Sequence, residues 1–295
     1  MTKRLHRILI YPLVASVPAV GMLIATGTAA GASTAQSPAA SSGSPSAQAA
    51  ALAREAIRHL SIGQHATDEN AGNAGNARTI NGETDKQSNN WSGWANTGSS
   101  VSKVSASWKE PTGSCGLDVI SMAAFWVGID GLSSSSVEQD GTLIECYLGT
   151  EYQYTWWEMY PTNSVQTVGS TVAAGDSITA SVTRSGSSYA LKVADSTHPA
   201  NSFSTTQTCS SGCANTSAEW IAEAPSGSLG VYPLTNFGTW KVSGAAVTEG
   251  SKSGTISTFS DDKITMADTL GSTEAAPSAL SGGGSAFSVA WKSSM

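Results

Sequence analysis

The chain has 295 residues, of which 40% are hydrophobic and only 13% are charged, and its net charge at pH 7 is −7. From Ser88 to the C-terminus acidic residues outnumber basic ones by 17 to 8, which argues against nucleic acid and anionic membranes as partners. The same region holds one histidine, His198, so a Ser-His-Asp, Cys-His or His-rich zinc site would depend on a single imidazole. We expect neither a metal nor another cofactor.

Residues 1–32 have the order of a secretory signal peptide. A basic start at positions 3 to 7 precedes an apolar run from Ile8 to about Ala25, and small residues follow around Ala30 and Ala32. A single-pass anchor is the alternative, since the run is nearly long enough to span a membrane. Two prolines within the run and the small-residue exit favour cleavage. We therefore expect a secreted, extracellular protein with no membrane attachment after cleavage.

Residues 33–87 are dominated by Ala, Ser, Gly and Asn, a composition that buries too little apolar surface to fold alone. One interpretation is a disordered linker. The other, which we favour, is a propeptide whose basic side chains lie over an acidic site. Those basic residues are Arg54, Arg58, His59 and Arg78. The boundary is expected between Arg78 and Ser88, leaving residues 88–295 as one domain of a size typical of a β-sandwich.

Alternation with period two recurs along residues 88–295, and no long helical period competes with it. Val104, Ala106 and Trp108 show it, as do Ile178, Ala180 and Val182, Tyr189, Leu191 and Val193, and Phe287, Val289 and Trp291. Many short strands joined by Ser, Thr and Gly turns predict an all-β fold, an antiparallel sandwich of two packed sheets.

Acidic and aromatic residues share faces of the predicted strands. Alternation over 152–160 puts Glu158 on one strand face with three tyrosines and Trp156. In the segment around 219, the same alternation puts Glu219 and Trp220 on different faces of their strand. One sheet face is therefore expected to gather Trp126, Asp130, Trp156, Glu158 and Glu219. Such a face would form a groove lined by acids and rings.

All four cysteines lie after Ser88, and an even number in an exported chain indicates disulfides. Three pairings are possible. We prefer Cys209 with Cys213, which are separated by SerSerGly, and Cys115 with Cys146. If both bonds form, no thiol nucleophile remains.

Five segments together resemble the glutamic peptidases, or eqolisins. They are AsnAsnTrpSerGlyTrpAla at 89–95, PheTrpValGlyIleAspGly at 125–131, GluGlnAspGly at 138–141, TrpTrpGluMetTyrPro at 156–161 and AlaGluTrpIleAlaGlu at 218–223. AsnPheGlyThr at 236–239 is a fainter match. The chain departs from the fungal pattern in two places, at Asp140, which follows the glutamine, and in the sequence TrpTrpGluMet. The match looks closer to a bacterial branch.

The resemblance implies a concanavalin A-like fold and a secreted, pepstatin-insensitive acid endopeptidase. It implies Gln139 and Glu219 as the catalytic pair, and Trp126, Asp130, Trp156 and Glu158 as residues of the substrate cleft. The expected partners are protein or peptide substrates and the chain's own propeptide, and we expect a monomer. An ionised Glu219 would act as general base and then acid, and Gln139 would stabilise the oxyanion with a donor that does not titrate.

Two other functions fit parts of the sequence. Nine tryptophans on a sandwich are compatible with a carbohydrate-binding module, which would retain glycans without cleaving peptides. Glu158 and Glu219 are also compatible with a glycosidase pair, but that hypothesis leaves Gln139 unexplained.

Overall fold

The computed structural model describes Leu60, Ile62 and residues 78–80, 83–116, 119–132, 134–168, 172–210, 212–227 and 230–294. The predicted signal peptide and most of the predicted propeptide lie outside these residues. Within the described part of the chain, no helix has the length and apolar character needed to cross a membrane.

The described residues form nineteen strands and three short 3₁₀ turns. The strands are β1 Arg78–Ile80, β2 Glu83–Ser88, β3 Trp91–Thr97, β4 Val101–Lys109, β5 Ile120–Ile129, β6 Val137–Tyr147, β7 Thr150–Tyr160, β8 Asn163–Val168, β9 Ser177–Ser185, β10 Ser188–Asp195, β11 Phe203–Thr208, β12 Ser217–Glu223, β13 Ser226–Gly227, β14 Gly230–Val231, β15 Thr239–Glu249, β16 Lys252–Gly254, β17 Ser260–Ala267, β18 Thr273–Pro277 and β19 Phe287–Trp291. The 3₁₀ turns are Pro199–Asn201, Ile256–Thr258 and Gly282–Gly284.

Two layers of strands confirm the predicted antiparallel sandwich. The first layer has the order β1-β2-β17-β3-β12-β5-β6-β7-β8, and the second has the order β11-β10-β9-β4-β15-β19. Strand β18 pairs with both β17 and β19, so the hydrogen-bonded sheet turns from one layer into the other there. Only β2 and β17 run parallel among the pairs described here.

The predicted alternation places one set of apolar side chains between the layers. On β9 and β10 the buried positions include Ile178, Val182, Tyr189 and Leu191, in the predicted register. The central strands β5 and β6 are buried on both faces instead. One face of each contacts the second layer, and the other, which we call the groove face, lies against a second apolar cluster that includes Leu60, Ile62 and Trp91.

Large aromatic rings fill the space between the layers. Trp240 lies against Phe125, Trp108 and Phe287 with ring centroids 5.4, 5.5 and 5.9 Å apart. The contacts with Trp108 and Phe287 are edge-on and the one with Phe125 is tilted. Aromatic pairs add roughly 0.5–1.5 kcal/mol each to the free energy gained by burial. The rings therefore fix the layers in one relative position beneath the groove.

Both predicted disulfides are present. Cys115 bonds Cys146, which attaches the segment before β5 to β6, and Cys209 bonds Cys213, which closes the loop between β11 and β12. The described part of the chain contains no free cysteine. A thiol nucleophile is thereby excluded for all four positions.

The sheet extends into the segment that the sequence assigned to a propeptide or linker. Strand β1 pairs with β2, and β2 lies along β17, where Lys86 Nζ forms an ion pair with Asp262 Oδ2 at 2.6 Å. Leu60 and Ile62 are also buried. Parts of this segment are thus held by the rest of the fold although its composition is poor in apolar residues.

Several carboxylic side chains are buried within the fold. Burial raises the pKa of Glu110 and Glu145 to about 8 and that of Glu138 to about 9, and it raises the pKa of Asp140 well above its ordinary value. A raised pKa means that the folded chain holds a proton which the unfolded chain releases above about pH 4.5. The stability from these groups is complete below that pH and falls as pH rises to 8 or 9.

We predict that the free energy of unfolding decreases between pH 4.5 and 8, and that Glu145→Gln makes this decrease shallower. Glu145 is the clearest test because burial is the only cause of its raised pKa and neither of its oxygens has a hydrogen-bond partner among the described residues. Each such group contributes about 1.4 kcal/mol per pH unit within its window. Denaturant unfolding at pH 4, 6 and 8 measures the slope.

The matched control for this prediction is Glu249→Gln. Glu249 is partly exposed, and its Oε1 accepts a hydrogen bond from the Ser99 backbone N–H, which a glutamine can also accept. The control should leave the slope unchanged. An equal slope in wild type and Glu145→Gln would contradict a buried, protonated Glu145.

Candidate active site

A row of four residues crosses the first layer on its groove face. The strand register places Glu219 of β12 opposite Gly128 of β5, Gly128 opposite Gln139 of β6, and Gln139 opposite Glu158 of β7. Directly opposed residues on antiparallel strands point to the same face. The alternation predicted this shared face for Glu158 and Glu219, the resemblance implied Gln139 in the same cleft, and the register aligns all three in one row.

Gly128 determines the space between Glu219 and Gln139. These two residues lie two strand spacings apart, or about 10 Å between backbones. A Cβ at position 128 would lie 2.9 Å from the ring of Trp126 and 3.3 Å from Cβ of Gln139. The missing side chain therefore lets the Trp126 ring lie on the floor between the carboxyl and the carboxamide.

Glu158 fixes the orientation of the Gln139 carboxamide. Gln139 Nε2 donates to Glu158 Oε2 at 2.9 Å and also to the backbone carbonyl of Ile62 at 2.5 Å. A carboxamide has two N–H donors, and here each has its own acceptor. The reversed orientation would bring the amide oxygen against the Ile62 carbonyl oxygen, which can only accept, so the nitrogen faces Ile62.

Burial dominates the electrostatics of both carboxyl groups in the row. It raises the pKa of Glu219 well above its ordinary value, nearby Asp130 and Glu138 raise it further, and the Ser217 hydroxyl and Leu132 backbone offset this only in part. Burial and the charge of Glu223 likewise raise the pKa of Glu158, against the opposing hydrogen bonds of Gln139 and Ile62. Both groups therefore favour their neutral forms while the groove is filled.

Asp130 positions the strand that carries Glu219. It follows β5 with a φ of 70°, and its two carboxylate oxygens accept hydrogen bonds from the backbone N–H groups of Asn215 and Thr216 at 2.7 and 2.9 Å. Its own N–H donates to Ser217 O at 3.1 Å. Since β12 begins at Ser217, the geometry of Asp130 acts on Glu219 through the backbone, while direct binding of substrate by Asp130 stays a prediction.

The neighbouring row on the groove face is aromatic. Trp126 and Trp156 both lie opposite Gly141, one on each side, and both rings are fully buried. Trp126 Nε1 donates to Glu223 Oε2 at 2.9 Å, and its ring meets the edge of Trp91 at 5.0 Å. The acids and rings therefore share one face of the layer, and the open groove that the sequence predicts there stays a prediction.

Sequence reasoning gave no role to three residues that shape this site. Gly128 acts by lacking a side chain, Glu223 anchors Trp126 and raises the pKa of Glu158, and Ile62 contacts Gln139. The period-two pattern already placed Glu223 on the face of Glu219. The role of Gly128 depends on strand register, which the sequence alone does not reveal.

One group of described residues has donor atoms close enough to hold a metal ion. Asp176, Asp195 and His198 lie around β9 and β10 in the second layer, with donor atoms within 4.8 Å of one another. His198 Nδ1 and Asp176 Oδ1 are 2.8 Å apart, and Asp195 Oδ1 accepts the backbone N–H groups of Thr197 and His198. These contacts fix the turn after β10, and they give His198 a structural role.

The fold and the groove together define a class of protein: a β-sandwich with a cleft of carboxyl, carboxamide and tryptophan side chains. The model of the Peptidase A4 family matches residues 89–289. The chain therefore belongs to the Peptidase A4 family, the eqolisins or glutamic peptidases that the sequence resembles.

Individual relatives agree with this family. Scytalidopepsin B of Scytalidium lignicola is 33% identical over 151 residues, which are 50% of this chain and 55% of that protein, so the match spans about half the length of the curated relative. A crystal structure of Scytalido-glutamic peptidase with a peptide-based transition-state analogue has 25% identity and a TM-score of 0.59, covering 69% of this chain and 98% of that one. Aspergilloglutamic peptidase from Aspergillus niger has 26% identity and a TM-score of 0.51, covering 58% of this chain and 99% of that one.

We predict that Glu223→Gln lowers the pKa of Glu158. The negative charge of Glu223 is the second cause that raises this pKa, so its removal makes ionisation of Glu158 easier. The glutamine still offers one oxygen to Trp126 Nε1. Carbon-detected NMR titration of labelled glutamate carboxyls measures the shift, with Glu249→Gln as the control. An unchanged or higher pKa of Glu158 would show that Glu223 exerts no such field.

Proposed function

We propose that the protein is a secreted acid endopeptidase that hydrolyses peptide bonds with Glu219 and Gln139. The observation that supports this most directly is the row in which these two groups face one cleft across Gly128, with Gln139 Nε2 donating to a peptide carbonyl oxygen. Membership of a peptidase family supports the reaction class. Secretion rests on the N-terminal sequence, and the catalytic roles rest on the resemblance to the glutamic peptidases together with the shared face of the two side chains.

Glu219 supplies the proton chemistry in this proposal. As a carboxylate it takes a proton from a water molecule, and it later gives that proton to the amine that leaves. Because burial is the main cause of its raised pKa, entry of water into an open cleft lowers that pKa towards the ordinary value of 4.5. The base then becomes available in mild acid, where a histidine would be protonated.

Gln139 supplies the oxyanion donor. When water attacks, negative charge develops on the carbonyl oxygen that Nε2 already contacts, and the donor needs no rearrangement to stabilise it. Glu158 holds the second N–H at 2.9 Å, which keeps the nitrogen directed at this oxygen. The carboxamide does not titrate in acid, so this function is independent of pH.

The geometry weighs against the glycosidase alternative. Glu158 and Glu219 lie three strand spacings apart, about 14 Å between backbones, with Gln139 between them. A glycosidase pair would leave this intervening carboxamide, which donates to Glu158 at 2.9 Å, without a role.

We expect Gln139→Ala to reduce kcat/KM for a denatured protein substrate about 10²- to 10³-fold through loss of the oxyanion donor. Glu219→Gln removes the base and should cost about 10²- to 10⁴-fold. Cleavage is measured from pH 2 to 7 with and without pepstatin, and wild-type activity should be confined to acid and resist the inhibitor.

The controls for this experiment are Gln166→Ala and Glu249→Gln. Gln166 donates only to Ser164 O among the described contacts and is exposed, and neither residue lies in the cleft. Both variants should keep wild-type activity. Normal proteolysis by a correctly folded Glu219→Gln protein would refute the assigned base.

Gly128→Ala should lower kcat/KM about tenfold to a hundredfold while the protein stays folded. The new Cβ pushes against the Trp126 ring and Gln139, and small displacements of catalytic groups cost rates of this size. Gly98→Ala is the matched control, since its Cβ would meet only the flexible end of Glu249. Thermal unfolding verifies the fold of both, and equal activity of the two variants would contradict the role given to Gly128.

A further inference from the structure

Two residues of the predicted propeptide segment lie in the cleft. Ile62 has none of its surface exposed and Leu60 has 3%, although the sequence around them is poor in apolar residues. Both belong to the apolar cluster of the groove face that also contains Trp91, Trp126 and Trp156. Their side chains thus complete the cover over the tryptophans.

Ile62 is held at its backbone as well as by its side chain. Its carbonyl oxygen accepts from Gln139 Nε2 at 2.5 Å, and its N–H interacts with the Glu158 carboxyl. The carbonyl thereby contacts the donor that the proposed mechanism needs for an oxyanion. A substrate residue immediately before the bond to be cut would make the same contact.

We propose that Leu60 and Ile62 occupy the cleft as a substrate does, with Ile62 directly before the bond that is cut. The subsite beside Gln139 then selects a branched aliphatic residue, and a second apolar subsite takes the residue two positions earlier. This inference rests on the proposed function and names the substrate class of the same site. In this arrangement any other substrate must first displace the segment that contains Leu60 and Ile62.

In the sequence the residue after Ile62 is Gly63, so the bond cut in this proposal is Ile62–Gly63. Water oxygen bonds to the Ile62 carbonyl carbon while Glu219 takes one water proton. The carbon–nitrogen bond to Gly63 then breaks, and the proton passes from Glu219 to the Gly63 nitrogen. The products are a carboxylic acid at Ile62 and a new amino terminus at Gly63, with no other reactant needed.

Apolar contact and backbone hydrogen bonds hold Leu60 and Ile62 at this position. The basic contacts expected from the sequence stay a prediction, because Arg54, Arg58 and His59 lie outside the described residues, and so does the side chain of Arg78. A tethered segment also competes at a high effective concentration, so it closes the cleft more effectively than the same peptide in free solution.

The first test is occupancy, measured without catalysis. In the full-length chain carrying Glu219→Gln, we compare acrylamide quenching of tryptophan fluorescence with and without Ile62→Asp. A charged side chain disfavours the apolar seat, so the cleft tryptophans should become accessible and quenching should rise. Ile62→Leu and Leu270→Asp, the latter at an exposed position, serve as controls and should leave quenching unchanged. Equal quenching in the Ile62→Asp and control proteins would overturn the inference, whatever the enzyme does.

The second test uses full-length chains with Glu219 intact. In acid the wild type should show a lag before it cleaves a denatured protein, and mass spectrometry should find Gly63 as the first new amino terminus. Ile62→Asp should raise the initial rate about tenfold or more, because the seat is vacated, and should abolish the Gly63 terminus. Initial rates equal to wild type, with a first cut elsewhere, would overturn the inference while leaving the proposed peptidase intact.

The two tests separate the two proposals. If quenching rises in Ile62→Asp but no chain cleaves any protein at any pH, the seat is real and the peptidase proposal fails. If proteolysis occurs and depends on Glu219 but quenching and lag are insensitive to Ile62, the peptidase stands and the seat does not.

Discussion

The site depends on the register of four neighbouring strands. Because side chains alternate along a strand, a slip of one residue in β5, β6, β7 or β12 would move its member of the row to the opposite face. That register is held from below by the ring packing around Trp240 and at one edge by the Cys115–Cys146 bond to β6. Packing between the layers and chemistry in the cleft are therefore two results of one alignment.

In the proposed mechanism, the row supplies the proton chemistry of a region, residues 88–295, that holds a single histidine. Each group has one task set by its neighbours: Gln139 is oriented by Glu158, the strand of Glu219 is started by Asp130, and the Trp126 ring is held by Glu223. In this proposal only Gln139 and Glu219 act on the peptide bond. The residues that orient them, such as Glu158 and Asp130, contact these two residues or their strands. Substitution of an orienting residue should therefore change pH dependence or geometry before it abolishes the fold.

The sequence predicted the fold class, the two disulfides, the shared face of Glu158 and Glu219, and the family, because period-two patterns and ordered motifs are local. It did not predict the gap at Gly128, since a glycine in a motif reveals nothing about which side chains meet above it. The seat of Leu60 and Ile62 was also missed. Composition predicted a segment unable to fold alone, but two apolar side chains suffice to fill a cleft that another part of the chain provides.

The carboxyls buried along β6 give the folded chain a ligand that is present in every solution, the proton. Glu138, Asp140 and Glu145 bind it more tightly when folded than when unfolded, so mass action links the folded fraction to proton concentration as it would to a metal or cofactor. When the chain unfolds in neutral solution, these carboxyl groups lose their protons. Refolding must then bind protons from a solution whose proton concentration is roughly a millionfold lower than in strong acid. The proton concentration therefore affects the stability of this protein as a cofactor concentration affects that of others. A rise in pH lowers the free energy of unfolding and so limits the conditions in which the fold persists.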